Sequence, residues 1–283
     1  MKIHTSLLMI MLLCIPSVLL AEGENKLERT FVLDRDGKVY LEFRKGTIEV
    51  NTWGRNEVRI VTHKDASLDV SHTKENIRIS ANRPQAHYAL FIPDMAHLRV
   101  ETISGSVKAK EIGGAVDIRT TSGDIEVLAA KNGASCKTVS GDIQMGKVTG
   151  NADLKTTSGK ITAENINGSI KADTVSGNIQ IEAFSHADEV EIESISGNIK
   201  LHGELSPGGI YKIDSHSGNI EIELPSGSNF ELRTETFHGN IDCDFELRLS
   251  GKIDRKIIQG ITGKGGARLS VSSFSGKIRV KKR

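Results

Sequence analysis

The sequence predicts an all-β fold, a single-stranded β-solenoid whose short strands pair in parallel ladders. Two observations lead to this prediction: glycines recur at a nearly fixed spacing, and hydrophobic residues alternate with polar residues on both sides of each glycine. The repeat is plainest in two heptapeptides, TVSGDIQ at 138–144 and TVSGNIQ at 174–180. A fixed period of this kind is the signature of stacked repeat architectures.

Each repeat unit is marked by a glycine that follows a serine, or a histidine in one unit. The first five glycines, from Gly105 to Gly177, are evenly spaced, and the later spacings are wider. We expect each to form a structural turn, because glycine tolerates positive φ. The nine predicted corner glycines are Gly105, Gly123, Gly141, Gly159, Gly177, Gly197, Gly218, Gly239 and Gly276.

Two short strands are predicted in each coil of roughly 18–21 residues. Hydrophobic residues stand two and four positions after each corner glycine, and again five and seven positions before most of them. This period-2 alternation indicates strands with one buried face. Neither strand can bury that face alone, so coils are expected to stack at ~4.8 Å per step. A midway turn is predicted at Gly114, Asn132, Gly150 and Gly168.

A left-handed helix of hexapeptide repeats has coils of the same length, but it requires an aliphatic residue at every sixth position. Ile125 is followed at that spacing by Lys131 and Lys137, so the sequence excludes this fold.

The first residues are typical of a signal peptide, predicted at 1–21. Lys2 supplies the positive start, 6–20 is apolar, and cleavage is expected after Ala21. Lipidation at Cys14 is disfavoured because Leu13 is bulky for a lipoprotein signal. No later segment is predicted to cross a membrane. We therefore expect an exported mature chain, in the periplasm, at the cell surface or secreted.

Residues 22–283 are predicted to form one β-solenoid domain. We expect N-terminal coils and a cap at 22–100, regular coils at 101–241, and an irregular loop with a C-terminal coil at 242–283. A Gly-rich loop is expected within 245–269, where the period breaks.

Composition and spacing argue against several functions. A formal net charge of +1 gives no basic face for nucleic acid. The column after the corner glycines includes Lys160 and Lys277, which oppose calcium binding. No aromatic residue lies between Glu101 and Ala183, where a polysaccharide-cleaving solenoid would need sugar platforms. We expect no catalytic residue, no cofactor and no metal site.

The outward charges before the corners are expected to alternate in sign along the stack, through Glu101, Arg119, Lys137, Lys155 and Asp173. This order would limit repulsion between stacked like charges. A column of Thr and Ser hydroxyls, three residues before each corner glycine, is expected to face inward and bond near the corner, which argues against ice binding.

The two mature cysteines are predicted to be free and buried. Cys136 precedes the corner at Gly141 and Cys243 follows the corner at Gly239. Five coil steps along the sequence would separate them by roughly 24 Å. A disulfide requires Cα atoms within about 7 Å.

Three segments resemble a large bacterial family of exported repeat domains labelled "putative adhesin". They are FIPDMAHLRVETISGSV, IELPSGSNFELRTETFHGNI and GKGGARLSVSSFSGKIRV, and the likeness covers residues 38–281. The resemblance implies one β-solenoid domain and brings no catalytic motif. Two functions stay open: an adhesin-like or scaffold module that binds an envelope protein or glycan, and an envelope sensor that recognises a small molecule or peptide through 245–269. The sequence leaves the oligomeric state open.

Overall fold

The computed structural model describes residues 26–81, 86–249 and 256–283. The predicted signal peptide at 1–21 lies outside these residues. Within them the chain forms 28 strands. The first fourteen are β1 Lys26–Val32, β2 Lys38–Lys45, β3 Thr47–Trp53, β4 Glu57–His63, β5 Leu68–His72, β6 Asn76–Ala81, β7 His87–Pro93, β8 His97–Ser104, β9 Val107–Ala109, β10 Val116–Ser122, β11 Ile125–Ala130, β12 Ala134–Lys137, β13 Ile143–Thr149 and β14 Ala152–Ser158. The others are β15 Ile161–Glu164, β16 Ile166–Asn167, β17 Ile170–Ser176, β18 Ile179–Phe184, β19 Glu189–Ser196, β20 Ile199–Gly203, β21 Ile210–Ser217, β22 Ile220–Leu224, β23 Phe230–Thr236, β24 Ile241–Cys243, β25 Arg248–Leu249, β26 Ile257–Thr262, β27 Ala267–Ser275 and β28 Ile278–Lys282.

The predicted β-solenoid is confirmed. Strands that follow the corner glycines stack into one sheet, called sheet A, and strands that precede them stack into a second, called sheet B. Eleven strands of sheet B, from β6 to β23, form one continuous parallel ladder. The register matches like positions of successive coils, as in Ile125 beside Ile143 and Ile143 beside Ile161. The inward residues of both sheets form one hydrophobic core along the whole stack.

At both ends of the solenoid the coils are not stacked in chain order. The coil of β2 and β3 lies between the coil of β6 and β7 and the coil of β8 and β9. At the other end, the coil of β27 and β28 inserts between the coil of β21 and β22 and the coil of β23 and β24. The corner Gly276 therefore stacks on Gly218, and Gly239 stacks on Gly276.

This insertion changes the predicted separation of the cysteines. Six coil steps, not five, lie between the corners at Gly141 and Gly239, which gives about 29 Å along the axis. Both thiols are free, Cys136 is buried, and Cys243 is only partly buried because it lies in the outermost coil. The expectation that both would be buried is wrong for Cys243.

Antiparallel strands close both ladders at the N-terminal end but only sheet B at the C-terminal end, where the described part of sheet A ends at β24. At the N-terminal end β1 pairs with β4, β4 with β7, and β5 with β6. At the C-terminal end β26 pairs with β23, and β25 with β26. The segment 245–269 is therefore largely a cap rather than one irregular loop, and its residues 250–255 lie outside the described ones. Caps of this kind cover ladder edges that would otherwise be open to pairing.

The corner glycines stack so closely that a side chain would not fit. At each of the nine, a Cβ would overlap the carbonyl oxygen of the corresponding glycine in the neighbouring coil. Ladder hydrogen bonds fix this spacing, for example from Gly141 N to Ser158 O at 3.1 Å. Left-handed φ adds a second requirement at six of them: Gly123, Gly141, Gly159, Gly177, Gly197 and Gly218.

The midway turns follow the prediction in part. Gly150 and Gly168 have φ of 97° and 141°. In the coil between β11 and β12, Gly133 has the left-handed conformation, with φ 76°, and Asn132 does not. At Gly114 the requirement is close approach, because a Cβ would overlap the carbonyl oxygen of Ala96.

The predicted hydroxyl column faces inward and is buried. Five of its members donate to the carbonyl oxygen of a corner glycine in the neighbouring coil: Thr120 to Gly105 at 3.5 Å, Thr138 to Gly123 at 3.3 Å, Thr156 to Gly141 at 3.2 Å, Ser273 to Gly218 at 3.2 Å and Thr236 to Gly276 at 3.3 Å. The expected bonding near the corner is therefore present in these coils. The hydroxyls of Thr102, Thr174, Ser194 and Ser215 have no such partner among the described residues.

Candidate functional site

One outer face of the solenoid carries an exposed hydrophobic column. In sheet B, the residues two, four and six positions before each corner glycine point outward, so this face has three columns. The column nearest the corner is called the apolar stripe. In spatial order it contains Ile103, Thr121, Val139, Thr157, Val175, Ile195, His216, Phe274 and Phe237.

The apolar stripe is long, and Thr121, Thr157 and His216 interrupt its hydrophobic side chains. Six of its nine side chains are large hydrophobic groups that are 44–64% exposed. Eight coil steps at ~4.8 Å give it a length of about 38 Å. Single exposed hydrophobic residues are normal on protein surfaces, but neighbouring ones, such as Val175 with Ile195 and Phe274 with Phe237, are typical of an interaction surface.

The stripe ends in a cluster of aromatic rings, called the aromatic cluster. Phe274 stacks on His216 with centroids 4.9 Å apart and on Phe237 at 5.2 Å, with interplanar angles of 5° and 6°. His238 packs edge-on against Phe237 at 4.5 Å. Phe237 is the most exposed large hydrophobic side chain among the described residues, at 64%. Its ring therefore presents an open apolar surface at the C-terminal end.

A shallow groove of about 540 Å³ runs beside the C-terminal half of the stripe. Val175, Ile195 and Phe274 line one side, and the other side carries carboxylates. These are Asp173, Glu193 and Asp214, stacked in three successive coils.

The outward charges do not alternate as predicted; they form blocks. In the column four positions before the corners, the basic block is Arg119, Lys137 and Lys155, and the acidic block is Asp173, Glu193 and Asp214. The predicted column contained only five residues and ended at Asp173, the first residue of the acidic block. Like charges are tolerated because the column six positions before the corners supplies partners of opposite sign.

Ion pairs across these two columns neutralise much of the charge. In the basic block, Lys137 Nζ lies 2.6 Å from Asp153. In the acidic block, Lys212 Nζ lies 3.2 Å from both Glu193 and Asp214 and 3.5 Å from Glu191. Hydrogen bonds to Glu193 and Asp214 raise the pKa of Lys212. Glu191 is also paired with Lys171, whereas Glu193 and Asp214 share the single ammonium of Lys212, which leaves the acidic block with excess negative charge.

Asp173 is the least solvated carboxylate of the acidic block. Its side chain is 19% exposed, and its Oδ1 has no hydrogen-bond partner among the described residues. Burial raises the pKa of Asp173, and the ammonium groups of Lys171 and Lys155 oppose that shift. Its charged form is therefore tolerated but not well solvated.

The predicted corner glycines run along the edge beside the stripe and supply backbone only. The polar residues after them form a second ladder in which a side-chain oxygen accepts from the backbone N–H of the next coil. The pairs are Asp124 with Asp142 at 2.9 Å, Asp142 with Lys160 at 2.7 Å, and Asn178 with Asn198, Asn198 with Asn219 and Asn219 with Lys277 at 2.9 Å each. These oxygens hold coils together. Within the described residues, no group of three or more His, Cys, Asp or Glu is placed to hold a metal ion.

Sequence reasoning missed the apolar stripe. The residue between the hydroxyl column and the Ser-Gly pair was visible as Ile103, Val139, Val175 and Ile195, and its parity already placed it outward. The aromatic cluster could not be found in this way, because Phe274 and His216 are far apart in the chain and meet only through the inserted coil.

Helices of the length and hydrophobicity needed to span a membrane do not occur in the described part of the chain. No curated protein matches the sequence. The solved structures that match the chain include three whose names refer to adhesion. A "putative adhesin" from Bacteroides fragilis is 14% identical, with 92% of this chain and 98% of that chain covered and a TM-score of 0.45.

A "putative adhesin" from Parabacteroides distasonis is 9% identical, covers 90% and 97% of the two chains, and has a TM-score of 0.33. A "putative cell adhesion protein" from Clostridium sporogenes is 10% identical, covers 91% and 100%, and has a TM-score of 0.25. Values of this size give no ground for transferring a function. The family assignment rests instead on the sequence, since the family described as Toastrack DUF4097 matches residues 41–281. With most of its length matched, including all nine corner glycines and the whole apolar stripe, this chain belongs to the Toastrack DUF4097 family.

Proposed function

We propose that the protein is an exported, non-catalytic scaffold of the cell envelope that binds a protein or glycan in the manner of an adhesin. The observation that carries this proposal is the aromatic cluster, which exposes stacked rings at the end of a rigid ladder. Phe237 and Phe274 are 64% and 46% exposed, although each would be stabilised by burial. A partner that covers these rings recovers that free energy.

The chemistry beside the cluster suits a partner with hydroxyl or amide groups. Aromatic faces bind the apolar faces of sugar rings and of peptide side chains, and the groove beside them offers carboxylate acceptors. His216 and Phe274 lie on strands, and Phe237 and His238, just after β23, donate from their backbone N–H groups to Ser273 O and Phe274 O. Because the backbone of the cluster is held in this way, little ordering entropy is lost when a partner binds.

The absence of catalysis is part of the proposal and is supported by how the carboxylates are used. Glu193 and Asp214 share the ammonium of Lys212, and Asp173 lies 3.9 Å from Lys155. Ion pairs on a sheet face stabilise the ionised carboxylate instead of preparing it for proton transfer, and even the poorly solvated Asp173 has the ammonium groups of Lys171 and Lys155 beside it.

The test is binding of the purified mature chain to isolated envelope fractions of the producing bacterium, with purified cell-wall sacculi and surface polysaccharide as separate probes. We expect saturable binding to one fraction and at least a tenfold loss of affinity for the Phe237→Ser/Phe274→Ser variant. The matched control is Leu128→Ser, since Leu128 is 41% exposed on the opposite sheet. Wild-type affinity in the double phenylalanine variant, or no binding to any fraction, would overturn the proposal.

A further inference from the structure

The outer face of sheet B is complementary to itself. We infer that a second copy of this chain docks on the six central coils of that face, in an antiparallel arrangement about a two-fold axis. The axis passes between the coil of Lys155 and the coil of Asp173. Phe237 and Phe274 lie in coils outside these six, whereas the groove carboxylates Asp173, Glu193 and Asp214 lie within them, so the second copy would compete with an envelope partner for the groove but not for the aromatic cluster's own coils.

The symmetry determines which residues meet. A two-fold axis that lies in the interface, perpendicular to the stack, makes each patch face itself with its order reversed. Each of the three outward columns then faces the same column of the second copy. The fixed coil step makes the match repeat along the whole interface, because both copies have the same ~4.8 Å spacing.

All charges of the central coils except Glu191, which faces Ser135, pair with opposite signs. In the column four positions before the corners, Lys155 faces Asp173, Lys137 faces Glu193, and Arg119 faces Asp214. In the column six positions before the corners, Asp153 faces Lys171, and Asp117 faces Lys212. Each pair forms twice in the dimer. The basic block of one copy thus covers the acidic block of the other.

The apolar stripes meet in the same register. Thr157 faces Val175, and Val139 faces Ile195. Val139 and Ile195 are therefore opposed, and both are about half exposed in the single chain. Burial of this row supplies the hydrophobic contribution, and the flanking charges supply the register.

Other registers place like charges together. If the two-fold axis moves by half a coil step, Lys155 of one copy faces Lys155 of the other, or Asp173 faces Asp173. A full step sets Lys137 against Lys155, or Asp173 against Glu193. Outside the central coils one like pair arises, between Glu42 and Glu235, and Glu42 is paired with Arg78 in its own chain.

The size of the face predicts a dimer of modest affinity. Six coils at ~4.8 Å and three columns at ~7 Å cover about 600 Å² per copy. The total of roughly 1,200 Å² is at the lower limit of specific interfaces. Dimerisation should therefore depend on protein concentration and weaken with salt.

Charge reversal tests the register. In sedimentation velocity over a concentration series at low salt, we expect the wild-type mature chain to dimerise. Lys137→Glu and Glu193→Lys should each weaken dimerisation at least tenfold, because each creates two like-charge contacts. The double variant Lys137→Glu/Glu193→Lys should restore it. The controls are Lys147→Glu and Glu164→Lys, which make the same charge changes at exposed positions of the other sheet.

Cysteine pairing tests the orientation. A mixture of Val139→Cys and Ile195→Cys chains should form a covalent heterodimer under mild oxidation, whereas each variant alone should not. A parallel dimer would instead cross-link each variant with itself. Four results would each overturn the inference. The wild-type chain could stay monomeric at high concentration, or Lys137→Glu could leave the dimer unaffected. The double variant could fail to restore dimerisation, or the single cysteine variants could cross-link with themselves. Loss of envelope binding in the phenylalanine variants would change none of these outcomes.

Discussion

Six of the corner glycines meet two physical requirements at once, a left-handed φ and close approach to the neighbouring coil. Substitution of selected glycines separates the two. At Gly141 the backbone has φ 153°, and a Cβ would overlap the carbonyl oxygen of Gly123. Backbone strain of this kind costs of order 1–3 kcal/mol. Pushing the coils of Gly141 and Gly123 apart would also weaken the ladder bonds that join them, from Gly123 N to Ser140 O and from Ser140 N to Thr121 O, at about 1 kcal/mol each. We expect Gly141→Ala to lower the free energy of unfolding by about 3–5 kcal/mol.

Three other glycines provide matched controls. Gly54 has neither left-handed φ nor any atom near the added Cβ, so Gly54→Ala should be neutral or slightly stabilising. Gly208 has φ 78° and open space, so Gly208→Ala should cost about 1 kcal/mol from strain alone. Gly105 has no left-handed φ, but its Cβ would overlap the carbonyl oxygen of Gly46, so Gly105→Ala should cost about 2 kcal/mol.

The assay is urea unfolding of the mature chain followed by far-ultraviolet circular dichroism, with all four variants measured together. Gly141→Ala should be the least stable and Gly54→Ala the most stable. Equal stability of Gly141→Ala and Gly54→Ala would refute the account of the corners. If Gly105→Ala matched Gly54→Ala while Gly141→Ala was strongly destabilised, strain alone would be responsible and close stacking would not matter.

Two further predictions concern titratable groups. Cys136 and Cys243 should remain without a disulfide in the native protein. Cys136 should react with a thiol reagent only after unfolding, because burial raises the pKa of its thiol and blocks access. A native Cys136–Cys243 disulfide would contradict the coil order. Asp173→Asn should raise the melting temperature of the dilute protein at neutral pH, since the raised pKa of Asp173 means that its charged form destabilises the fold. This gain in melting temperature should vanish as the pH falls through the pKa of Asp173, because the wild-type carboxyl is then protonated. The control Asp117→Asn removes a partner of Arg119 and should give no gain. An equal gain for Asp173→Asn at all pH values would contradict the burial argument.

The sequence was sufficient to predict the solenoid, its two strands per coil and the in-register ladder. The reason is that each coil must repeat the same pattern to bury its face against its neighbour, so the period is written directly in columns such as Ile125, Ile143 and Ile161. The inward hydroxyl column followed from the same parity, and the outward stripe was readable from it as well.

Only the tertiary structure decided the order of the terminal coils, since every coil offers a similar edge and the sequence period does not say which one docks on which. That order brings Phe274 between His216 and Phe237 and builds the aromatic cluster. It also separates Cys136 from Cys243 by one more coil step. The blocks of charge on sheet B likewise depend on residues far apart in the chain, because their complementarity is a property of the assembled face rather than of any one repeat.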